Sequence, residues 1–258
     1  MQIYYKNQSG YTLVELSIAL SIIVLLISAI LVGTNLVAST ESKALLSEVQ
    51  KFNESISQFQ SLYKGVPGDL TNANSYWYSL TAAANGNGDG KIASETSNEA
   101  FYAIQELSLA GLIDGSYNGF TGTWGSGFVL ANPSRTGNVL GAKGRVGAGL
   151  YMKCCSGTDY TRSSLSFNNH VSLFSVYSAD STKRGGAITP IEAYFLDQKV
   201  DDGVPDTGLV VGEGSYNGSA YASTGCYSNT GSSSKYNANT SPDKDLKGCQ
   251  MMFAYDWN

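Results

Sequence analysis

The sequence predicts an α+β fold: one long N-terminal helix, its outer half packed on a sheet, then a loop-rich C-terminal region. Three observations carry this. From Leu16 to Thr40 there are 25 residues without a charge, most of them apolar and helix-forming. Behind them Leu45, Val49, Phe52, Ile56, Phe59 and Tyr63 recur at intervals of 4, 3, 4, 3 and 4, which is one face of a helix. Beyond Asp114 the chain turns to short strand-like runs among glycines.

The uncharged run exceeds the roughly 20 residues that cross a bilayer as helix. One acid, Glu15, stands at its start. A charge so close to hydrocarbon costs a few kcal/mol, which marks it as functional. The residues before it read Gly10-Tyr11-Thr12-Leu13-Val14. A secretory signal peptide would have a basic start, an apolar stretch of about 7–15 residues and a small-residue cleavage site. Here the stretch is too long, no A-x-A pattern closes it, and the ten-residue leader carries only Lys6. A plain single-pass anchor is the other alternative, and it would leave Gly10 and Glu15 incidental.

Gly10, the Thr12–Glu15 run and the apolar segment behind them resemble the N-terminus of the type IV pilin family, which includes the pseudopilins of type II secretion. Tyr11 stands where that family usually has phenylalanine. The resemblance implies a prepilin peptidase that cuts after Gly10 and methylates the new N-terminus at Tyr11. It divides the chain into a leader (1–10), a membrane or filament-core helix (11–38), a helix extension packing on the head (39–64) and a pilin-like head (65–258). It implies an antiparallel sheet, and partners in other pilin subunits and an inner-membrane assembly platform. The protein would be single-pass in the bacterial inner membrane first, then in an extracellular pilus or periplasmic pseudopilus. It assigns assembly to Thr12 and Glu15, with the Tyr11 amine of a neighbouring subunit as the cation for Glu15. Within ~4 Å, at an effective dielectric of about 20, such a pair regains roughly 4 kcal/mol. A glutamate that merely snorkels to headgroups is the competing role.

A continuous helix from Tyr11 to Tyr63 would be ~80 Å long at ~1.5 Å per residue. Its outer half leaves Glu41, Lys43, Glu48, Lys51 and Glu54 for the wet side. A coiled coil would also give this stripe, but three heptads beside a folded domain favour packing within the chain. Gly33 is the weak point of the helix. Gly65-Val66-Pro67-Gly68-Asp69 ends it.

Asn85, Asn87, Asp89 and Lys91, with Gly90 between, match the front half of an EF-hand-type calcium loop. Thr96 replaces the bidentate glutamate, and Glu95 or Glu99 could substitute. An Asn/Gly turn without an ion is the alternative. A second helix is expected over Asn98–Ile113, and strands over Gly127–Ala131, Gly149–Cys154 and His170–Tyr177. Thr189-Pro190 starts a further helix to about Val200. That helix delivers Asp197, Asp201, Asp202 and Asp206 into a turn, where calcium competes with carboxylates bonded to backbone amides. Several prepilin-like proteins are similar to the chain here and around Pro67-Gly68-Asp69. The last stretch, Gln250–Trp257, reads as an edge strand.

The four cysteines, Cys154, Cys155, Cys226 and Cys249, allow three pairings. Adjacent cysteines pair only with strain, which disfavours Cys154–Cys155. Pilins often carry a disulfide-bounded loop near the C-terminus, and by that resemblance Cys226 pairs with Cys249 at about 3 kcal/mol. Zinc is disfavoured, since there is no CxxC pair and His170 is the single histidine.

Net charge is −5 and the pI about 4.9, so no basic patch offers itself to nucleic acid. No catalytic constellation stands out: any nucleophile–base pair would have to use His170, and nothing near it marks an activated nucleophile. The expected protein is therefore a structural subunit and no enzyme, with calcium as the one ion in question. A pilus subunit, a type II secretion pseudopilin and a non-polymerising anchored protein are the three functional readings. The long Tyr/Ser/Gly-rich head favours the first.

Overall fold

The computed structural model describes residues 10–80, 84–92, 98–119, 139–142, 148–154, 169–176, 184–216, 221–222, 225–228, 234–237 and 248–254. For 30–39, 153–154, 169–176, 184–185, 215–216 and 221–222 it describes the backbone alone. The chain divides into two compact units, Met1–Lys43 and Ala44–Asn258, with the division inside the first helix. That helix, α1, runs from Leu13 to Tyr63, 51 residues, and passes through Gly33 without a break.

In the first unit the described apolar side chains of the helix stand exposed. Every large apolar side chain from Leu13 to Ile27 is 50–87% exposed. In the second unit the same helix is a core element. Leu45, Val49, Phe52, Ile56 and Phe59 are buried as the 4/3 spacing predicts, in one cluster with side chains of the sheet and of a third helix. Glu48, expected on the wet side, is buried as well. It lies three residues after Leu45 and four before Phe52, so the covered face is wider than the stripe. Tyr117 comes close to it. Burial, with Asp114 and Glu48 adding, pushes the Tyr117 hydroxyl up to about 12.

α1 stops where expected, but the left-handed residue is Lys64 (φ 58), not Gly65. Gly65 serves by its size, since a Cβ there would stand 2.5 Å from Leu70 Cδ2. The short helix α2, Ala73–Tyr76, brings Tyr76 and Trp77 within 5.0 Å of the Tyr63 ring and so extends the apolar stripe. Helix α3, Glu99–Leu109, buries Phe101, Ile104 and Leu107. It ends short of Ile113 because Gly111 turns left-handed (φ 71) and the Leu112 N–H bonds back to Leu107 O.

The sheet is antiparallel throughout its described ladder. In chain order it comprises β1 (Leu140–Gly141), β2 (Ala148–Cys154), β3 (Asn169–Val176), β4 (Arg184–Gly185), β5 (Val210–Tyr216), β6 (Tyr221–Ala222) and β9 (Cys249–Ala254). A separate pair, β7 (Tyr227–Ser228) and β8 (Lys235–Tyr236), stands beside it. β2 and β3 fall where the sequence placed strands, in register Leu150↔Leu173, and α3 lies against β2. The expected strand at Gly127–Ala131 lies outside the described residues. β9 corrects the sequence reading. It is no edge strand, for it pairs with β3 on one side (Val171↔Phe253) and β5 on the other (Val211↔Met252). All six of its residues are buried, as a strand covered on both faces requires.

Helix α4, Pro190–Val200, begins with a full capping box: the Thr189 hydroxyl takes the Glu192 N–H while the Glu192 carboxylate takes the Thr189 N–H. The disulfide joins Cys226 to Cys249, with Cα atoms 4.8 Å apart, and so ties the segment before β7 to the central strand β9. Gly225 and Gly248 make the approach feasible, since a Cβ at Gly248 would lie 2.5 Å from Gly225 O. Pairing of Cys154 and Cys155 lies outside the described side chains.

Truncating the centre of the α1 stripe tests this packing. Ile56→Ala is expected to cost about 2–5 kcal/mol of head stability, and Glu54→Ala, on the exposed side, less than about 0.5. Chemical denaturation of both variants followed by tryptophan fluorescence measures the difference.

Candidate functional site

The N-terminus of α1 carries the strongest sequence signal. Tyr11 is 90% exposed, and a Cβ built on Gly10 would meet nothing within 4 Å, so the Gly10–Tyr11 bond stands open to a protease. Thr12 caps the helix. Its N–H donates to Glu15 Oε2 at 2.8 Å, its hydroxyl to the same oxygen at 2.9 Å, and its Oγ1 accepts the Glu15 N–H at 3.2 Å. This is a reciprocal capping box, with an acid at the positive end of the helix dipole. The sequence reading placed Thr12 and Glu15 together but missed the bond between them. The T-x-x-E spacing before an apolar run was the available signal. Both donors of Thr12 thus meet one carboxylate oxygen of Glu15.

Behind this cap the helix satisfies its own polar groups. The hydroxyls of Ser17, Ser21 and Ser28 donate to Val14 O, Ser17 O and Val24 O, each at 2.8 Å. Among the described residues no helix is long and apolar enough to cross a membrane. The described side chains of the segment end at Ala29, and residues 30–39 of the uncharged run continue beyond them.

The loop residues proposed from sequence as cation ligands make other bonds. Asn85 Oδ1 accepts the Asn74 N–H at 3.0 Å. Asn87 Oδ1 accepts the Asp89 N–H, and Asp89 Oδ1 the Lys91 N–H, each at 2.9 Å. Glu95 lies outside the described residues, and Glu99 is buried on α3. Sequence reasoning missed the organising residue, Asp69. Its carboxylate collects the N–H groups of Gly88 and Gly90, at 2.7 Å each, and of Asp89, at 3.2 Å. Nothing in the spacing of residues 85–92 points 20 residues back.

The second acidic group does converge. Ligand oxygens of Asp197, Asp201 and Asp202 lie within 4.8 Å of one another, with Asp206 outside the trio. Their chemistry suits a hard cation. Backbone and hydroxyl donors nonetheless reach all three. Asp197 accepts from Tyr236 OH (2.8 Å) and Gly203 N (3.0 Å), Asp201 from Leu209 N and Val210 N, and Asp202 from Val204 N and Thr207 Oγ1. These are the bonds of the turn reading. Burial pushes the Asp197 carboxyl up to about 7, with Asp202 and Asp201 adding, while the Tyr236 and Gly203 bonds pull it down.

The sign of the pH dependence follows. A carboxyl raised in the folded state holds its proton there after the unfolded chain has released it. Its contribution to stability therefore falls as pH rises from about 4 through about 7 and is level above. With a chelator present, Asp197→Asn is expected to fall less than wild type across that window, in denaturant midpoints taken at successive pH values. Millimolar calcium added to wild type tests the ion, since binding at the trio would abolish the fall that Asp197 contributes.

Residues 5–31 match the family described as "Prokaryotic N-terminal methylation motif". No curated protein and no solved structure matches the chain. The matched stretch contains the open Gly10–Tyr11 bond, the Thr12–Glu15 cap and the uncovered apolar turns, and no residue of the head. At its N-terminus the chain thus carries the signature of type IV pilins and pseudopilins.

Proposed function

We propose that the chain is a prepilin-like structural subunit. It is processed by a prepilin peptidase after Gly10 and polymerises through α1 into a type IV pilus. The observation that carries this reading is the apolar stretch of α1 from Leu13 to Ile27, whose large side chains stand exposed around a single carboxylate, Glu15. Eleven large apolar side chains stand exposed between Leu13 and Ile27. Covering them is worth on the order of 10 kcal/mol against water. Lipid supplies that cover as well as neighbouring helices do, so the hydrophobic effect does not by itself favour a filament over the membrane. Charge pairing does. In lipid Glu15 is an isolated acid, and in a filament it meets the amine that processing creates at Tyr11 of a neighbour. The membrane anchor before assembly and the surface-forming head after it belong to the same reading.

A pseudopilus of type II secretion uses the same N-terminal chemistry and is the alternative. A head of about 190 residues, rich in Tyr, Ser, Gly and Asn, fits a pilus subunit better than the usually smaller main pseudopilin.

The test is Glu15→Ala in the native host. The variant is expected to be processed at Gly10 as efficiently as wild type, while its share of the sheared filament fraction drops at least tenfold. Filaments at wild-type level from this variant would refute polymerisation through Glu15.

A further inference from the structure

The corner formed by Gly68 and Asp69 is held from two sides. On one side stands α3. Glu106 Oε2 accepts the Gly68 N–H at 2.7 Å, and a Cβ added to Gly68 (φ 85) would lie 2.3 Å from Glu99 O and 2.8 Å from Ala103 N. Backbone and helix are in direct contact there. On the other side stands the exposed loop of residues 86–91. The Asp69 carboxylate gathers the N–H groups of Gly88, Asp89 and Gly90, and the Gly86 N–H bonds to Leu70 O at 2.8 Å. A Cβ added to Gly86 would lie 2.3 Å from Asp69 Cα. Helix, corner and loop are therefore stacked in that order.

Glu106 sits at the bottom of this stack. It is wholly buried, and its Oε1 has no hydrogen-bond partner among the described residues. Among the described residues, the charges that act on it are both negative: Asp69 on the corner, and Glu99 two turns earlier on the same face of α3. A neutral acid in this position leaves one polar atom unpaired, which is a modest cost. An ionised carboxylate would be a buried charge with one N–H for support and two acids nearby, a far costlier state.

We propose that Glu106 is a proton-operated latch for the surface loop of residues 86–91. As a neutral acid it keeps the Gly68–Asp69 corner seated on α3. When it ionises, repulsion from Asp69 and the demand of a bare carboxylate for water unseat the corner, and the loop amides lose Asp69. Burial, with Asp69 and Glu99 adding against the pull of the Gly68 N–H, pushes Glu106 up to about 8, so the latch works just above neutrality. Burial pushes Asp69 up as well, with Asp89 adding and the three loop N–H groups opposing. The order of an exposed loop on the head thus becomes a function of ambient pH.

Hydrogen–deuterium exchange on the full chain in detergent tests the latch, at pH values from 6 to 9, each rate divided by its intrinsic chemical rate. Protection across residues 86–91 is expected to fall at least tenfold over that range in wild type, while residues 45–59 of α1 keep theirs. Glu106→Gln, neutral at every pH and still able to accept the Gly68 N–H, is expected to hold the loop protected throughout. Glu106→Leu, which cannot accept it, is expected to leave the loop unprotected already at pH 6. Wild-type protection that does not change with pH would overturn the proposal. So would a Glu106→Gln variant that opens in parallel with wild type, or a protected loop in Glu106→Leu. The wild-type series decides the matter if either variant fails to fold.

Discussion

A helical segment with large apolar side chains that its own chain leaves uncovered must be covered by something else. That constraint governs the first half of α1, where side chains from Leu13 to Ile27 stand exposed while serine hydroxyls bond back to their own helix. It also fixes the meaning of Glu15. A carboxylate at the head of such a segment is tolerable because Thr12 and the helix terminus offer it donors. The second half of the same helix obeys the ordinary rule, burying Leu45 to Phe59 in the head.

What the sequence revealed divides along lines of range. Helical periodicity placed α1 and its buried stripe, and the Thr-Pro start placed α4, because both signals lie within a few residues of what they determine. The capping box of Thr12 and Glu15 was equally local and was overlooked, as its residues were read for assembly alone. Glu48 was misplaced because a stripe of apolar letters marks the centre of a buried face and not its width. Lys64 took the left-handed position beside a glycine, which shows that a helix end is set to within a residue by packing as well as by propensity.

The candidate ion sites show the opposite case. The pattern Asn85 to Lys91 was visible, but the carboxylate that organises it, Asp69, comes from another turn of the chain. Tyr236 reaches Asp197 across 39 residues, and β9 is central because β3 and β5 flank it. Pairings of that kind leave no periodicity in a single sequence. Burial pushes the carboxyls of Glu106 and Asp197 up, so each is expected to contribute less to stability as pH rises. A core of purely apolar contacts would carry no such dependence.

The central claim is that the chain is cut after Gly10 so that the Tyr11 amine can meet Glu15 of another subunit. Intact N-terminal mass spectrometry of the protein from its native host tests it most directly. The account predicts a mature chain that begins at methylated Tyr11. A chain that still begins at Met1, or is cut elsewhere, would remove the amine on which Glu15 depends and leave α1 as a plain anchor.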